Sequence, residues 1–447
     1  MRNIRVAVVG AGPAGIYAAD ILTKEHENAE VDVLDRLPAP YGLVRYGVAP
    51  DHPRIKEIIR ALGRVLANER IRFLGNVEFG VDLKLADLHL HYDAVIVATG
   101  AAADRPLEIP GIDLPGSHGA ADFVSWYAGH PDVPRDWALE AESVAVIGAG
   151  NVALDVARML AKPADEQLTT EIADNVHRGL KANKAKDVHV FARRGPAQAR
   201  FSPMELRELA HSPSVDVLLD EEGFQVDEAS QKTISSNKGV RLVVDTLLKY
   251  LEASPTGASH RIHIHLCQNP VALLGDGKVE AIRTERTELD GTGHASGTGE
   301  YVDTPVQAVY RAVGYLSSDL PDLPFDHAAG VIPNEAGRVL GLDGQAVPGV
   351  YATGWIKRGP VGLIGHTKSD AAETIRSLLA DLDGIAAPEH DDRDAILEHL
   401  TDRAVDFTTH DDWVRLDAHE ISLGEAAGRE RIKVVPREEM IAAARGE

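Results

Sequence analysis

Two glycine clusters are the residues best suited to chemistry in this sequence. Gly10-Ala-Gly12-Pro-Ala-Gly15 follows the β-branched run Val6-Ala-Val-Val9 and opens a helical pattern over Ala14 to Lys24. Glycines at that spacing let a chain turn tightly from strand into helix. They also let a pyrophosphate reach the free N–H groups at the helix start, where the peptide dipoles add partial positive charge. Asp35 closes the next strand pattern, Val31-Asp-Val-Leu34, at the roughly 20-residue distance expected of an acid that binds ribose hydroxyls. A carboxylate there favours an unphosphorylated ribose, as in FAD or NAD, and does not choose between them. The second cluster, Gly148-Ala-Gly150-Asn-Val-Ala153, has alanine in the third place, an accepted variant. Its next strand pattern, Asp187-Val-His-Val-Phe191, runs into Arg193-Arg194-Gly-Pro196 rather than an acid. Paired arginines at this point suit a 2′-phosphate through charge-assisted hydrogen bonds and so favour NADP(H).

The elements that position these residues can be read around them. Val6 to Gly12 recurs almost unchanged as Val144 to Gly150, 138 residues later. Two strand–glycine turn–helix openings a domain's length apart predict two Rossmann-like domains. Tyr92 to Gly100 and Gly349 to Gly354 read as buried parallel strands that belong together, and Ala308 to Gly314 as a strand returning towards the first domain. The expected organisation is α/β, with a second dinucleotide domain at 103–330 inserted into a first that comprises 1–102 and 331–447. Ala161 to Lys186 is an insertion between helix and strand, and Gly291 to Gly299 reads as a flexible loop. From Asp381 to Glu420 there are 13 acids against 3 bases, which reads as a solvated surface or terminal extension.

Composition narrows the chemistry. The chain has 447 residues and a formal net charge of −23, which speaks against general affinity for nucleic acid or anionic membrane. It has one cysteine, Cys267. That excludes an internal disulfide, a dithiol redox pair and a four-cysteine iron–sulfur cluster. Its place in an alternating β segment points to the core, and a single thiol fits a cytoplasmic protein. No targeting segment or membrane span is expected, since a strand pattern starts at Val6 and no apolar run approaches spanning length. His263 and His265 share one strand face, but no third ligand follows at a useful spacing, so no metal is expected.

One NADP(H) site beside a second dinucleotide site implies a flavoprotein that accepts hydride from NADPH. Without a cysteine pair the electrons must leave to another protein or a small molecule. A flavin monooxygenase, a glutamate-synthase-like electron-input subunit and a non-catalytic NADP(H)-sensing flavoprotein remain as alternatives at this point.

Several segments resemble the adrenodoxin-reductase-like family of ferredoxin–NADP⁺ reductases. They are Gly10 to Gly15, Tyr41-Gly-Leu-Val-Arg-Tyr-Gly-Val-Ala-Pro-Asp-His-Pro53, Gly150 to Arg158, Arg193 to Pro196, and Gly354-Trp-Ile-Lys-Arg-Gly-Pro-Val-Gly-Leu-Ile364. The match runs nearly end to end, and the two long segments are specific. It implies FAD in the first site, NADP(H) in the second and a ferredoxin-type iron–sulfur protein as acceptor. The implied reaction is reversible hydride transfer from NADPH to flavin, then single-electron steps. Carried over, Ala14 and Gly15 lie along the FAD pyrophosphate, Asp35 at the ribose, and Leu43 and Phe79 at other FAD contacts. Asp35 is shorter than the family's more frequent Glu. Trp355 stands where many two-site flavoproteins carry an acid, and Gly362, Leu363 and Ile364 lie beside the isoalloxazine. Ala149, Gly150, Asn151, Val152, Arg193, Arg194 and Glu205 match NADP contacts. His52 falls near the flavin with acids resembling Asp155 or Glu208, a set suited to conducting a proton. Two basic windows, Arg178 to Arg200 and Ile55 to Arg72, are the expected docking patches for an acidic partner.

Overall fold

A computed structural model describes residues 2–361 and 364–447. Two compact units emerge from it. The first comprises Met1–Ala103, Ala128–Pro131 and Tyr315–Glu447; the second comprises Asp104–Tyr127 and Asp132–Gly314.

In the first unit, the apolar run Ile4–Val9 becomes a strand buried along its whole length. Such a strand needs cover on both faces and neighbours on both edges. Ala29–Leu34 and Ala94–Val97 flank it in parallel register, with Val6 opposite both Val31 and Ala94. Ile71–Gly75 and Ala346–Ala352 extend the parallel sheet at either side. The predicted pairing of Tyr92–Gly100 with Gly349–Gly354 is present, with Val350, Tyr351 and Ala352 opposite Val95, Ile96 and Val97. Antiparallel edges complete the eight strands: Asn334–Glu335 and Arg338–Leu340 at one side, Thr408–Thr409 at the other. Helices Pro13–Glu25 and Ile364–Asp381 contribute Ile16, Leu22, Ala371, Ile375 and Leu378 to the main core.

The second unit repeats the plan. Its six parallel strands run in the order Ser117–Gly119, Ala308–Arg311, Ser143–Ile147, Asp187–Phe191, His260–His265, Val215–Leu219. A three-stranded antiparallel sheet of Gln268–Leu274, Ala281–Leu289 and Ala295–Pro305 packs Leu273, Val279 and Ile282 against Ala145, Ile147 and Val309.

Two expectations need correction. The Gly291–Gly299 stretch is not wholly a loop, because Ala295 onwards is strand. Ion pairs Arg283–Asp303 and Arg286–Glu300 hold it to its neighbour, and Gly297 lies so close to the Glu285 carboxylate that a Cβ would fall 2.3 Å from it. The acidic segment after Asp381 is likewise no free extension. Ile396 and Leu400 enter one core cluster, and Trp413, Leu416, Met440 and Ala444 enter another. Most of its acids are exposed, with Glu420 buried as the exception, so composition alone masked an amphipathic packing element. Among the described residues, no helix is long and apolar enough to cross a membrane.

Candidate functional site: two glycine turns

Both glycine turns stand where strand order reverses, at the carboxyl ends of Ile4–Val9 and Ser143–Ile147. In each sheet the next strand in sequence pairs on one side, and a later strand pairs on the other. That crevice is where open α/β sheets bind ligands.

Within the first turn the three glycines face different demands. Gly10 has φ +114°, and a Cβ there would lie 2.5 Å from the Ala98 carbonyl oxygen. Gly15 presses against the turn, with a Cβ 2.0 Å from the Gly10 oxygen. Gly12 caps the helix and has nothing within 4 Å of its Cβ position. Two glycines therefore serve packing, and the middle one keeps open the approach to the helix start. Pro13 at the first helical position costs no hydrogen bond and leaves the remaining N–H groups free for an anion. The second turn copies this. Gly148 (φ +153°) would set a Cβ 2.3 Å from the Ala312 oxygen, Gly150 faces open space, and Ala153 is fully buried.

Around the first turn, Tyr41 N–H donates to the Ala11 oxygen at 2.8 Å, and a Cβ on Gly42 would lie 3.1 Å from Gly12 Cα. Leu43, the first residue of the helix Leu43–Tyr46, is thereby placed beside the cradle. A Cβ on Gly354 (φ +77°) would lie 2.6 Å from the Ala14 methyl group, which brings Trp355, at the start of the helix Trp355–Arg358, to the same edge. Asp35 accepts from the N–H groups of Ala11 (2.8 Å) and Leu37 (2.9 Å). Burial raises its pKa against the lowering effect of those bonds. Each carboxylate oxygen keeps a second lone pair, so a ribose hydroxyl still has an acceptor. Phe79 is buried in the loop after Ile71–Gly75, two residues beyond Val77, whose N–H donates to the Asp35 oxygen. Gly362 and Leu363 lie outside the described residues; Ile364 begins the helix Ile364–Asp381.

Around the second turn, Arg200 N–H donates to the Ala149 oxygen (2.8 Å) and Ser202 N–H to Asn151 Oδ1 (2.7 Å). The chain after Arg194 is thus folded back onto Ala149, Gly150, Asn151 and Val152. Ser202 caps the helix Pro203–Glu208, which carries the buried Glu205. Arg193 and Arg194 line a cavity of about 270 Å³ with Asn269, Glu285, Thr287 and His294. Their backbone is pinned by Thr287 Oγ1 donating to the Arg193 oxygen (2.8 Å) and Cys267 N–H donating to the Arg194 oxygen (3.2 Å). Burial, then the charges of Arg193 and Arg200, lower the pKa of Arg194. Among the described residues none of these three guanidiniums is in an ion pair, although the Glu285 carboxylate lines the same cavity. Clustered cations beside a glycine turn form a site for a multiply charged anion.

The proton-handling candidates come from both units. His52 is buried in the first unit, just ahead of the helix Pro53–Lys56, with its N–H on the Ala49 oxygen (3.1 Å). Asp155, in the second unit, pairs with Arg158 at 2.9 Å on the helix Asn151–Ala161, and Glu208 ends its own helix. Cys267 is buried, and burial pushes its thiol up to about 11, so it carries no thiolate at neutral pH.

Two positioning features leave no pattern in the sequence. Asp370 accepts from Gly354 N–H (2.5 Å) and Thr353 Oγ1 (3.2 Å) and pairs with Lys357 Nζ (3.0 Å), which fixes the turn at Trp355. The second is the neighbour of His263 and His265. His189 stands in register with His263, and their rings stack at 4.5 Å. His189 Nδ1 meets His265 Nε2 at 3.0 Å, while Asp187 and Asp220 engage His263 and His265. Burial, then the neighbouring imidazoles, push the pKa of His189 down to about 3. The unfolded chain takes up this proton near pH 6.5 and the folded chain does not, so stability falls as pH drops from about 6.5 towards 3. Replacing His189 by Phe, which keeps the stacking area, is expected to flatten that part of the stability–pH profile in denaturant titrations.

The pyridine nucleotide-disulphide oxidoreductase model matches residues 4–248. An NADPH:adrenodoxin oxidoreductase of Arabidopsis thaliana is 37% identical, over 99% of this chain and 96% of its own. An NADPH-ferredoxin reductase FprA of Mycobacterium tuberculosis is 40% identical over 99% of each. The solved structure of Mycobacterium tuberculosis FprA in complex with NADPH has a TM-score of 0.90 at 38% identity and covers 100% of both chains. With its two glycine turns and its full-length likeness to these reductases, the chain belongs to the pyridine nucleotide-disulphide oxidoreductases, in their adrenodoxin-reductase-like branch.

Proposed function

We propose that this protein is an NADPH-dependent FAD flavoprotein that passes single electrons to a ferredoxin-type iron–sulfur protein. The observation that carries the reading is the contrast between the two turns: an acid, Asp35, beside the first, and three clustered arginines beside the second. FAD in the first site would convert the two-electron donor NADPH into a one-electron source. In the first unit Gly10, Gly12, Ala14, Gly15, Asp35, Leu43, Phe79 and Trp355 would hold FAD, with Gly362, Leu363 and Ile364. In the second, Ala149 to Val152, Arg193, Arg194 and Glu205 would hold NADP(H). His52, Asp155 and Glu208 are the proposed proton-handling groups. A cytoplasmic location belongs to the same reading.

Docking follows from which bases keep free charge. In the window Arg178 to Arg200, Lys181, Lys184 and Lys186 pair with Asp165, Glu140 and Glu142. That leaves less positive field than the sequence count implies. In the window Ile55 to Arg72, Arg72 pairs with Asp32 and Asp394, whereas Arg60 and Arg64 are exposed one turn apart on the helix Ile58–Leu66. Such an exposed basic pair suits an acidic partner. Arg60→Glu with Arg64→Glu is expected to slow ferredoxin reduction roughly tenfold at low salt, less at high salt, and to leave NADPH-driven dye reduction unchanged. Equal loss in both assays would remove the docking role.

Anaerobic titration of the purified protein with NADPH, then addition of ferredoxin, tests the whole reading. Rapid flavin bleaching followed by ferredoxin reduction is expected. No bleaching, or peroxide as the sole product, would exclude it.

A further inference from the structure

The acid-rich carboxyl-terminal segment has no role in the reading above, yet it makes the most deeply buried ion pair among the described residues of the first unit. Glu420, on the helix His410–Ala426, is 0% exposed, and Arg45, on Leu43–Tyr46, is 3% exposed. The guanidinium of Arg45 donates to both carboxylate oxygens, at 3.0 and 2.5 Å. It also lies over the rings of Trp413 (5.1 Å) and Tyr46 (5.2 Å). Val434 N–H (3.0 Å) and Arg431 (3.4 Å) donate to the same carboxylate. The buried Lys433 Nζ donates to the Arg45 oxygen (2.7 Å) and the Ala128 oxygen (3.0 Å). Tyr41 meets Trp413 edge to face at 5.6 Å.

All these partners converge on the turn Tyr41–Tyr46, the one laid against Ala11 and Gly12. The turn is poorly suited to holding itself. Tyr41 has φ +83°, a conformation unfavourable for a side chain with a Cβ, and Gly42 follows at φ +49°. The helix after them has four residues and no side-chain cap. A strained backbone persists only where its surroundings over-determine it. A buried ion pair adds little stability over apolar packing of the same volume, but its directional bonds specify one geometry.

We propose that the carboxyl-terminal segment is a clamp that holds the turn Tyr41–Tyr46 in the shape that retains FAD, with Glu420 and Arg45 as positioning residues. The proposal rests on FAD occupying the first glycine turn. It assigns the segment to cofactor retention and leaves NADPH recognition independent of it.

The test uses the FAD-loaded full chain. Free flavin fluorescence after dilution reports FAD release, and visible circular dichroism reports the flavin environment. Glu420→Gln keeps the shape and removes the charge. It is expected to release FAD about tenfold faster, the effect of about 1.4 kcal/mol, to change the visible dichroism, and to leave the Kd for NADPH unchanged. Release within twofold of wild type would overturn the clamp. If Glu420→Gln does not fold, Lys433→Met decides the matter, since it spares the ion pair and removes the bonds to the Arg45 and Ala128 oxygens. Unchanged release there overturns the clamp equally. A wild-type chain that binds no FAD would overturn the cofactor reading and the clamp with it; a wild type that retains FAD no better than its variants would overturn the clamp alone.

Discussion

Replacing Arg193 and Arg194 together by Ala is expected to raise the Kd for NADPH by two or more orders of magnitude and to leave that for NADH nearly unchanged. Each charge-assisted hydrogen bond to a phosphate is worth about 1.5–3 kcal/mol, or about tenfold to about 150-fold in affinity. The two guanidiniums stand beside Arg200 without an ion pair among the described residues, and that crowding is relieved when a dianion arrives. The gain therefore exists only for a cofactor carrying the 2′-phosphate. Because the backbone of both residues is pinned by Thr287 and Cys267, truncating the side chains does not move the loop. Anaerobic calorimetric titrations of the pre-reduced protein with both nucleotides measure the ratio. An equal loss for NADPH and NADH would show that the arginines support the fold or the pyrophosphate and do not read the ribose phosphate.

The second large effect separates glycines that look identical in the motif. Gly15→Val is expected to yield no folded flavoprotein, because its Cβ would stand 2.0 Å from the Gly10 oxygen, in backbone that cannot yield. The cost is roughly 3 kcal/mol or more, from overpacking at the helix–strand contact. Gly12→Val is expected to fold with a Tm close to that of the wild-type apoprotein, since nothing lies within 4 Å of its Cβ position. It should be isolated colourless, because the added methyl groups occupy the approach to the helix start. The same contrast is expected in the second unit, where Gly148 is packed against Ala312 and Gly150 is open. Thermal unfolding, together with flavin content per chain, distinguishes the outcomes. A Gly12→Val protein that keeps full flavin would show that the cradle is not where the pyrophosphate lies.

These two predictions mark the reach of local sequence. Strand, glycine turn and helix are encoded within about 30 residues, by β-branched runs, a φ that only glycine adopts cheaply, and proline at a first helical position. The duplication, the two parallel sheets, Asp35 beside one turn and arginines beside the other were legible for that reason. So was the burial of Cys267, from the alternation around it. Tertiary packing decided what depends on residues far apart in the chain. It put Glu420 against Arg45 and His189 beside His265, and it set Asp370 under Gly354. It also cancelled much of the Arg178–Arg200 charge with acids from outside that window. The physical reason is common to all four. Turn chemistry and periodicity act between near neighbours and leave a pattern in sequence, whereas a charge pair or ring stack is fixed by packing and carries no spacing rule. An acid-rich tail therefore reads as solvated, although its buried face holds the turn beside the first dinucleotide cradle.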